Sequence, residues 1–232
     1  MDFCLLNEKS QIFVHAEPYA VSDYVNQYVG THSIRLPKGG RPAGTLHHRI
    51  FGCLDLCRIS YGGSVRVISP GLETCYHLQI ILKGHCLWRG HGQEHYFAPG
   101  ELLLLNPDDQ ADLTYSEDCE KFIVKLPSVV LDRACSDNNW HKPREGIRFA
   151  ARHNLQQLDG FINLLGLVCD EAEHTKSMPR VQEHYAGIIA SKLLEMLGSN
   201  VSREIFSKGN PSFERVVQFI EENLKRNISL ER

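Results

Sequence analysis

Apolar positions along the chain follow two different periods, and the change falls near residue 127. Before it, short apolar runs are broken every few residues by Gly, Pro or Asn-Pro. Alternation with a period of two is the mark of strands. Ile50 to Ile59 predicts one long strand, with Ile50, Gly52, Leu54, Leu56 and Arg58 on one face. Phe51, Cys53, Asp55, Cys57 and Ile59 occupy the other. Tyr61-Gly62-Gly63-Ser64 predicts a hairpin, because Gly-Gly supplies the positive φ of tight turns. Further strands are predicted at Val65 to Ile68, Tyr76 to Leu82, Cys86 to Trp88 and Glu94 to Phe97. Leu102 to Leu105, Leu113 to Tyr115 and Phe122 to Leu126 complete the set, with Lys83-Gly84 as a turn. The all-apolar run at Leu102 suits a buried strand. Several short strands with frequent turns predict a barrel or sandwich.

Beyond about residue 154 the period is helical. Leu155 to about Glu173 predicts one helix, carrying Leu155, Leu158, Phe161, Ile162, Leu165 and Val168. Pro179 suits the first position of the next, which runs to about Leu197 with Gly198 as a stop. Asn210-Pro211 opens a further amphipathic helix with Val216, Val217, Ile220 and Leu224 in its stripe. Ser229 is then an N-cap for a helix that the remaining residues do not complete. The expected class is therefore α+β. Residues 1–150 form an antiparallel β-barrel, 151–209 a helical segment, and 210–232 a linker helix with the opening of a separate all-helical domain.

Composition narrows the function classes. With 42% hydrophobic residues in 232 positions the chain can bury a sizeable core, and a net charge of −3 does not advertise a nucleic-acid surface. The eight cysteines (4, 53, 57, 75, 86, 119, 135 and 169) show no secreted-scaffold spacing. No signal peptide and no apolar run of about 18 residues is visible. A cytoplasmic protein with reduced thiols, and no membrane partner, is the expectation.

Two segments carry a resemblance. Ile220 to Leu224 ("IEENL"), a polar break, then Ile228 to Glu231 ("ISLE") is similar to the start of the double helix-turn-helix domain of AraC/XylS-family transcription regulators. Tyr76 to Pro107 ("YHLQIILKGHCLWRGHGQEHYFAPGELLLLNP") resembles the cupin-like sensor domains of the same family. The resemblance implies an amino-terminal sensor half, with the DNA-binding half truncated. It implies a small aromatic carboxylate effector such as benzoate or an alkylbenzoate, and an operon for aromatic-hydrocarbon degradation as the target. A homodimer formed through helices is implied too. Promoter DNA would be bound only through the missing domain, and RNA polymerase would be met in the intact activator.

The residues themselves argue against catalysis. Cupin enzymes hold a metal through His-x-His, a following Glu and a later His. Here the matching places read His77-Leu78-Gln79, and leucines follow Pro99-Gly100. Leucine offers no donor atom and Gln is a poor substitute for imidazole. Cys53 and Cys57 share a predicted strand face, but about 13 Å of rise separates them. No nucleophile triad, Walker or dinucleotide motif is present. The expectation is no enzyme, no metal and no cofactor. The alternatives from other classes are a metal-free cupin-type isomerase or lyase, and a dimerisation module without a small ligand.

An aromatic acid needs an apolar slot and a cation, and Arg suits a carboxylate best because its fork binds both oxygens. The Gly/Pro-rich loop Leu36 to Thr45 offers Arg41, with Thr45 and His47 as added donors and Arg89 as a rival cation. Tyr76, Gln79, Ile81, Trp88 and Tyr96 are the candidate ring contacts, Trp88 foremost. For the dimer, Ile188, Ile189, Leu193, Leu194 and Leu197 exceed what one core contact needs on the Pro179 helix, with Leu193, Leu194 and Leu197 expected to meet a second subunit, and Ile205 stands in a polar stretch.

Overall fold

The computed structural model describes residues 5–39, 41–158, 160–174 and 177–203. The linker helix, the helix-turn-helix opening and Ile205 lie outside these residues.

Two antiparallel sheets face each other. One has seven strands, in the order β1 (Gln11–Ala16), β3 (Gly44–Phe51), β4 (Leu54–Ser60), β11 (Glu120–Pro127), β6 (Cys75–Lys83), β9 (Glu101–Leu105) and β12 (Arg152–Asn154). The other has five: β2 (Ser33–Arg35), β5 (Val65–Ser69), β10 (Ala111–Tyr115), β7 (Cys86–Gly90) and β8 (Gln93–Phe97). The sheets stay separate, so the barrel expected from sequence is a two-sheet jelly roll, the arrangement that cupins share. Four helices complete the chain: α1 (Pro18–Tyr28), α2 (Ser128–Asp137), α3 (Phe161–Ala172) and α4 (Pro179–Met196).

Alternation assigns the buried side chains of the central strands of the large sheet to one of two cores. On β11, Phe122, Val124 and Leu126 join the core shared with α2, α3 and α4. Their neighbours Lys121 and Ile123 face the second sheet instead. On β9 the four leucines divide the same way, Leu102 and Leu104 against Leu103 and Leu105. That double burial is why the segment reads as a continuous apolar run rather than an alternating one.

Three turns differ from the sequence expectation. Ile50 to Ile59 is a hairpin, not one strand, with Phe51 paired to Leu54. Gly52 takes φ +61 at the first loop position, which fits a type II′ turn, and Cys53 sits in that turn rather than on a strand. Tyr61 to Ser64 does not make a hairpin. It carries the chain from β4 in the large sheet to β5 in the small one. Gly62 is required there, because a Cβ would lie 2.1 Å from the Ala43 carbonyl oxygen. The helix expected from Leu155 starts only at Phe161, since Gly160 at φ +73 breaks the chain after a short 3-10 turn.

α4 begins at Pro179 as expected, but it ends with Leu197 in an extended conformation rather than through a left-handed glycine. α1 was not predicted. Glu17 caps it by accepting from the Ala20 amide, Pro18 occupies its first turn, and Val21 packs between the sheets. Residue 150 is no core boundary either: β12 continues the large sheet, and α3 and α4 share a core with it.

Candidate functional site

A cavity opens between the sheets at the C-terminal end of α1. It is lined by Val25, Val29 and the segment Gly30 to His32, by Val67, Ser69 and Leu72, and by Ala111, Leu113 and Tyr115 of β10. The large sheet adds Cys57, Ile59, His77, Gln79, Lys121 and Ile123, with Tyr61 beyond β4. It holds about 60 Å³, room for a few waters, whereas a cavity that takes a benzene ring is about 150 Å³, so an aromatic ring enters only if the walls move apart.

Lys121 dominates its electrostatics. The residue is 4% exposed. Its ammonium lies 3.0 Å from the centroid of the Tyr115 ring and 5.4 Å from that of Tyr61. Among the described residues no carboxylate or carbonyl is within bonding distance of it. Burial lowers its pKa from 10.5 to about 8, an effect that the thiols of Cys119, Cys86 and Cys57 partly offset. Lys125, four positions on along the same face, is different: it donates to the Val29 carbonyl at 2.6 Å and lies 3.6 Å from Asp55. The strand thus carries one satisfied lysine and one unmatched cation.

Around Lys121 stand polar groups with fixed roles. The Tyr115 hydroxyl donates to Gln79 Oε1 at 2.7 Å. His32 Nδ1 contacts the Gly30 carbonyl at 3.1 Å, while its Nε2 meets the hydroxyls of Ser22 and Tyr61 at 3.0 and 3.2 Å. Those contacts fit one tautomer, protonated on Nδ1. Burial lowers the His32 pKa, and it lowers that of His77 to about 4. Burial also pushes the Tyr61 and Tyr115 hydroxyls above their ordinary range and the Cys57 and Cys86 thiols up to about 12. The thiols are therefore inert neutral wall groups rather than nucleophiles.

Of the residues singled out from sequence, Gln79 alone lines this cavity. Ile81 and Trp88 pack in the same inter-sheet core, where the Trp88 indole donates to the Gln110 carbonyl at 3.1 Å and stacks on His95. Tyr76 belongs to the helix-side core, its hydroxyl bonded to the Ile147 carbonyl. Thr45 and His47 alternate with the inter-sheet residue Leu46 and lie on the opposite face of β3. Arg89 is paired with Glu94 at 2.8 Å and with the Thr114 hydroxyl, and Tyr96 is exposed and stacked on His85. Arg41 is exposed in the loop before β3 and does not reach the cavity wall. Lys121, Tyr115, Tyr61, His32 and His77 were missed. The Lys121 signal was present: in Lys121-Phe122-Ile123-Val124 the residues on both faces are apolar, so a cation there must point into a core.

The dimerisation set needs correction as well. Ile189, Leu193, Leu194 and Leu197 are at most 3% exposed within a single chain, packed into the helix-side core. Of the surplus set on this helix Ile188 alone is left in solvent, at 47%, and Val129 on α2 is exposed at 59%. Among the described residues no cluster of three His, Cys, Asp or Glu side chains could hold a metal ion, and no helix is long and apolar enough to cross a membrane.

Comparison with known proteins gives a consistent result. A family model described as an AraC-binding-like domain matches residues 21–195. Over all 232 residues the chain is 99% identical to a XylDLEGF operon transcriptional activator 1 of Pseudomonas putida, covering 70% of that protein. It is 82% identical, again over its full length and 70% of the relative, to a XylDLEGF operon transcriptional activator 3 of the same species. The crystal structure of the AraC-like transcriptional activator CuxR superposes with a TM-score of 0.61 over 95% of this chain and 81% of that one. At 11% identity it supports the fold alone.

Proposed function

The chain belongs to the AraC-binding-like domain family, and on that premise we propose that it is the effector-binding regulatory module of a transcriptional activator for an aromatic-degradation operon. The activator works in the cytoplasm, beside promoter DNA and RNA polymerase, and those contacts fall outside the cavity-bearing residues. The effector is a small aromatic carboxylate. One observation carries this reading: an unmatched cation, Lys121, buried beside a small inter-sheet cavity whose other walls are largely apolar. A carboxylate there would supply the missing counter-charge, with the ring against Val25, Val67, Leu72, Leu113 and Ile123. A charge left alone in such a place is costly, so a matching anion gains what the empty site loses.

The cavity wall also suggests how binding is transmitted. Its α1 side, Val25 to His32, is held to the large sheet by Lys125 on the Val29 carbonyl. An effector that fits one position of this segment better than another shifts the population of the two. Tight binding without that difference would switch nothing. The activator acts as a homodimer, for which the exposed α2–α4 face with Val129 and Ile188 is the available apolar surface.

Calorimetric titration of the chain with benzoate, 3-methylbenzoate and neutral benzamide tests the proposal, run beside Lys121→Gln and Arg41→Ala. The acids should bind at least tenfold more tightly than the amide, about 1.4 kcal/mol, and Lys121→Gln should abolish the difference. Acid binding lost in Arg41→Ala and kept in Lys121→Gln would move the anion site to the loop before β3. Failure of every acid to bind would reject an aromatic-carboxylate sensor.

A further inference from the structure

An amine attacks a carbonyl carbon only as its free base, and an ordinary lysine is almost wholly protonated at neutral pH. Lys121 departs from that rule for reasons of geometry. It is buried and lines the inter-sheet cavity. Its contacts are the ring faces of Tyr115 and Tyr61, at 3.0 and 5.4 Å from the centroids, which cannot accept a proton from it. With a pKa of about 8 in place of 10.5, about a tenth of the side chain is free amine at pH 7, about 300-fold more than for a lysine in water.

The groups packed around it leave that nitrogen as the reactive atom. β4 contributes the Cys57 thiol, β7 that of Cys86, and Cys119 directly precedes β11. Burial raises the pKa of all three thiols, so they stay protonated and weakly nucleophilic. Burial holds the Tyr61 and Tyr115 hydroxyls neutral as well, and the Tyr115 hydroxyl is committed to Gln79. His32, between α1 and β2, is kept neutral in the same way.

We propose that Lys121 forms a reversible imine with small aldehydes, which gives this cavity a second class of ligand beside the carboxylate. The nitrogen lone pair attacks the carbonyl carbon, and one amine proton passes to the carbonyl oxygen. The resulting carbinolamine loses its hydroxyl together with the second amine proton as water, leaving a C=N bond. Nothing is oxidised or reduced. Desolvated lysines are suited to this chemistry. The product also relieves the buried charge, since a neutral imine needs no counter-ion. Size sets the class: about 60 Å³ takes an aldehyde of about three or four heavy atoms with the walls where they stand. The two ligand classes call on opposite protonation states of one residue. A carboxylate needs the ammonium, which prevails below about pH 8, and an aldehyde needs the amine, which prevails above it. The imine goes beyond the carboxylate reading and does not depend on it.

The test is reductive trapping on the unaltered chain with limiting propanal and cyanoborohydride, each lysine being read by peptide mass spectrometry. The reductant converts the imine to a stable alkylamine at the nitrogen that formed it. At pH 7 Lys121 should be labelled at least ten times faster than the exposed Lys38 and Lys83. That ratio should fall as the pH is raised past about 8, because the exposed lysines go on gaining free amine and Lys121 does not. In urea the ratio should drop to near one, since the advantage belongs to the fold. Labelling of Lys121 no faster than of the exposed lysines, a ratio independent of pH, or a preference that persists in urea would overturn the proposal. Benzoate affinity is a separate measurement, so its failure would remove the carboxylate reading and leave the trapping result standing.

Discussion

Replacing Lys121 by methionine should make the protein more stable and deaf to its effector. The cost of the buried charge follows from its depressed pKa. Between 10.5 unfolded and about 8 folded, at 1.36 kcal/mol for each pKa unit, it is about 3 kcal/mol. Methionine fills nearly the same volume without a charge, but it forfeits the ammonium's attraction to the Tyr115 ring, about 0.5–2 kcal/mol. The net gain is about 1–3 kcal/mol, which for a chain of this length is a rise in melting temperature of about 2–10 °C.

The pH dependence has a definite sign. Between pH 8 and 10.5 the unfolded chain keeps the lysine proton that the folded chain has released. Stability attributable to this group therefore rises with pH through that window, and below pH 8 its full cost is present. Thermal melts of the two proteins at pH 7 and pH 9, without ligand, should show the variant ahead at pH 7 and the gap narrowing at pH 9. A variant that melts below the unaltered protein at pH 7, with a gap insensitive to pH, would refute the unmatched-cation reading. So would benzoate binding that the substitution leaves unchanged.

Three further outcomes follow from packing and hydrogen bonding. Tyr115→Phe leaves the buried Gln79 Oε1 without its donor and should lower stability by about 1–3 kcal/mol, read as a lower urea midpoint at constant slope. Asp109 is 1% exposed at its side chain and accepts from the Asn106 amide, the Asn106 side chain and Arg148. Asp109→Ala should therefore cost about 2–4 kcal/mol, and a midpoint within experimental error of the unaltered protein would count against that network. Leu193→Ala empties a core position and should destabilise the chain by about 2–5 kcal/mol, whereas Ile188→Ser should leave the melt almost unchanged and weaken self-association in sedimentation velocity. A fully stable Leu193→Ala with reduced self-association would show that α4 uses this face between subunits.

How much could be read without coordinates depends on which quantities are local. Strand period, helix period, the turn at Gly84 and the helix start at Pro179 are properties of a few neighbouring residues, and they marked out most strands and α4. Gly52 was read as one position in a run because alternation continues across it. A two-residue turn preserves the parity of the pattern while reversing the chain. Gly62 was recognised as a turn, but nothing local says whether the next strand joins the same sheet or the opposite one.

The site was less legible, for a related reason. Alternation groups Gln79 with His77 and Ile81, and Lys121 with Ile123, yet it does not say which group faces the second sheet and which the helices. Both faces of the large sheet are buried, so hydrophobicity cannot break the tie. Only the packing of sheet on sheet put Tyr76 among helices and Gln79 in a cavity. The same packing left Lys121 without a counter-charge while Lys125, on the same face four residues later, found Val29 and Asp55. Leu193 and Leu194 show the limit from the helical side: their spacing declares that α4 buries them, and only the fold decides that the surface covering them is the chain's own. By itself the sequence determined most of the central strands, α4, the α+β class and the family likeness. The tertiary structure decided the inside of the cavity, because the cost of a buried charge depends on every wall around it and not on its neighbours in the chain.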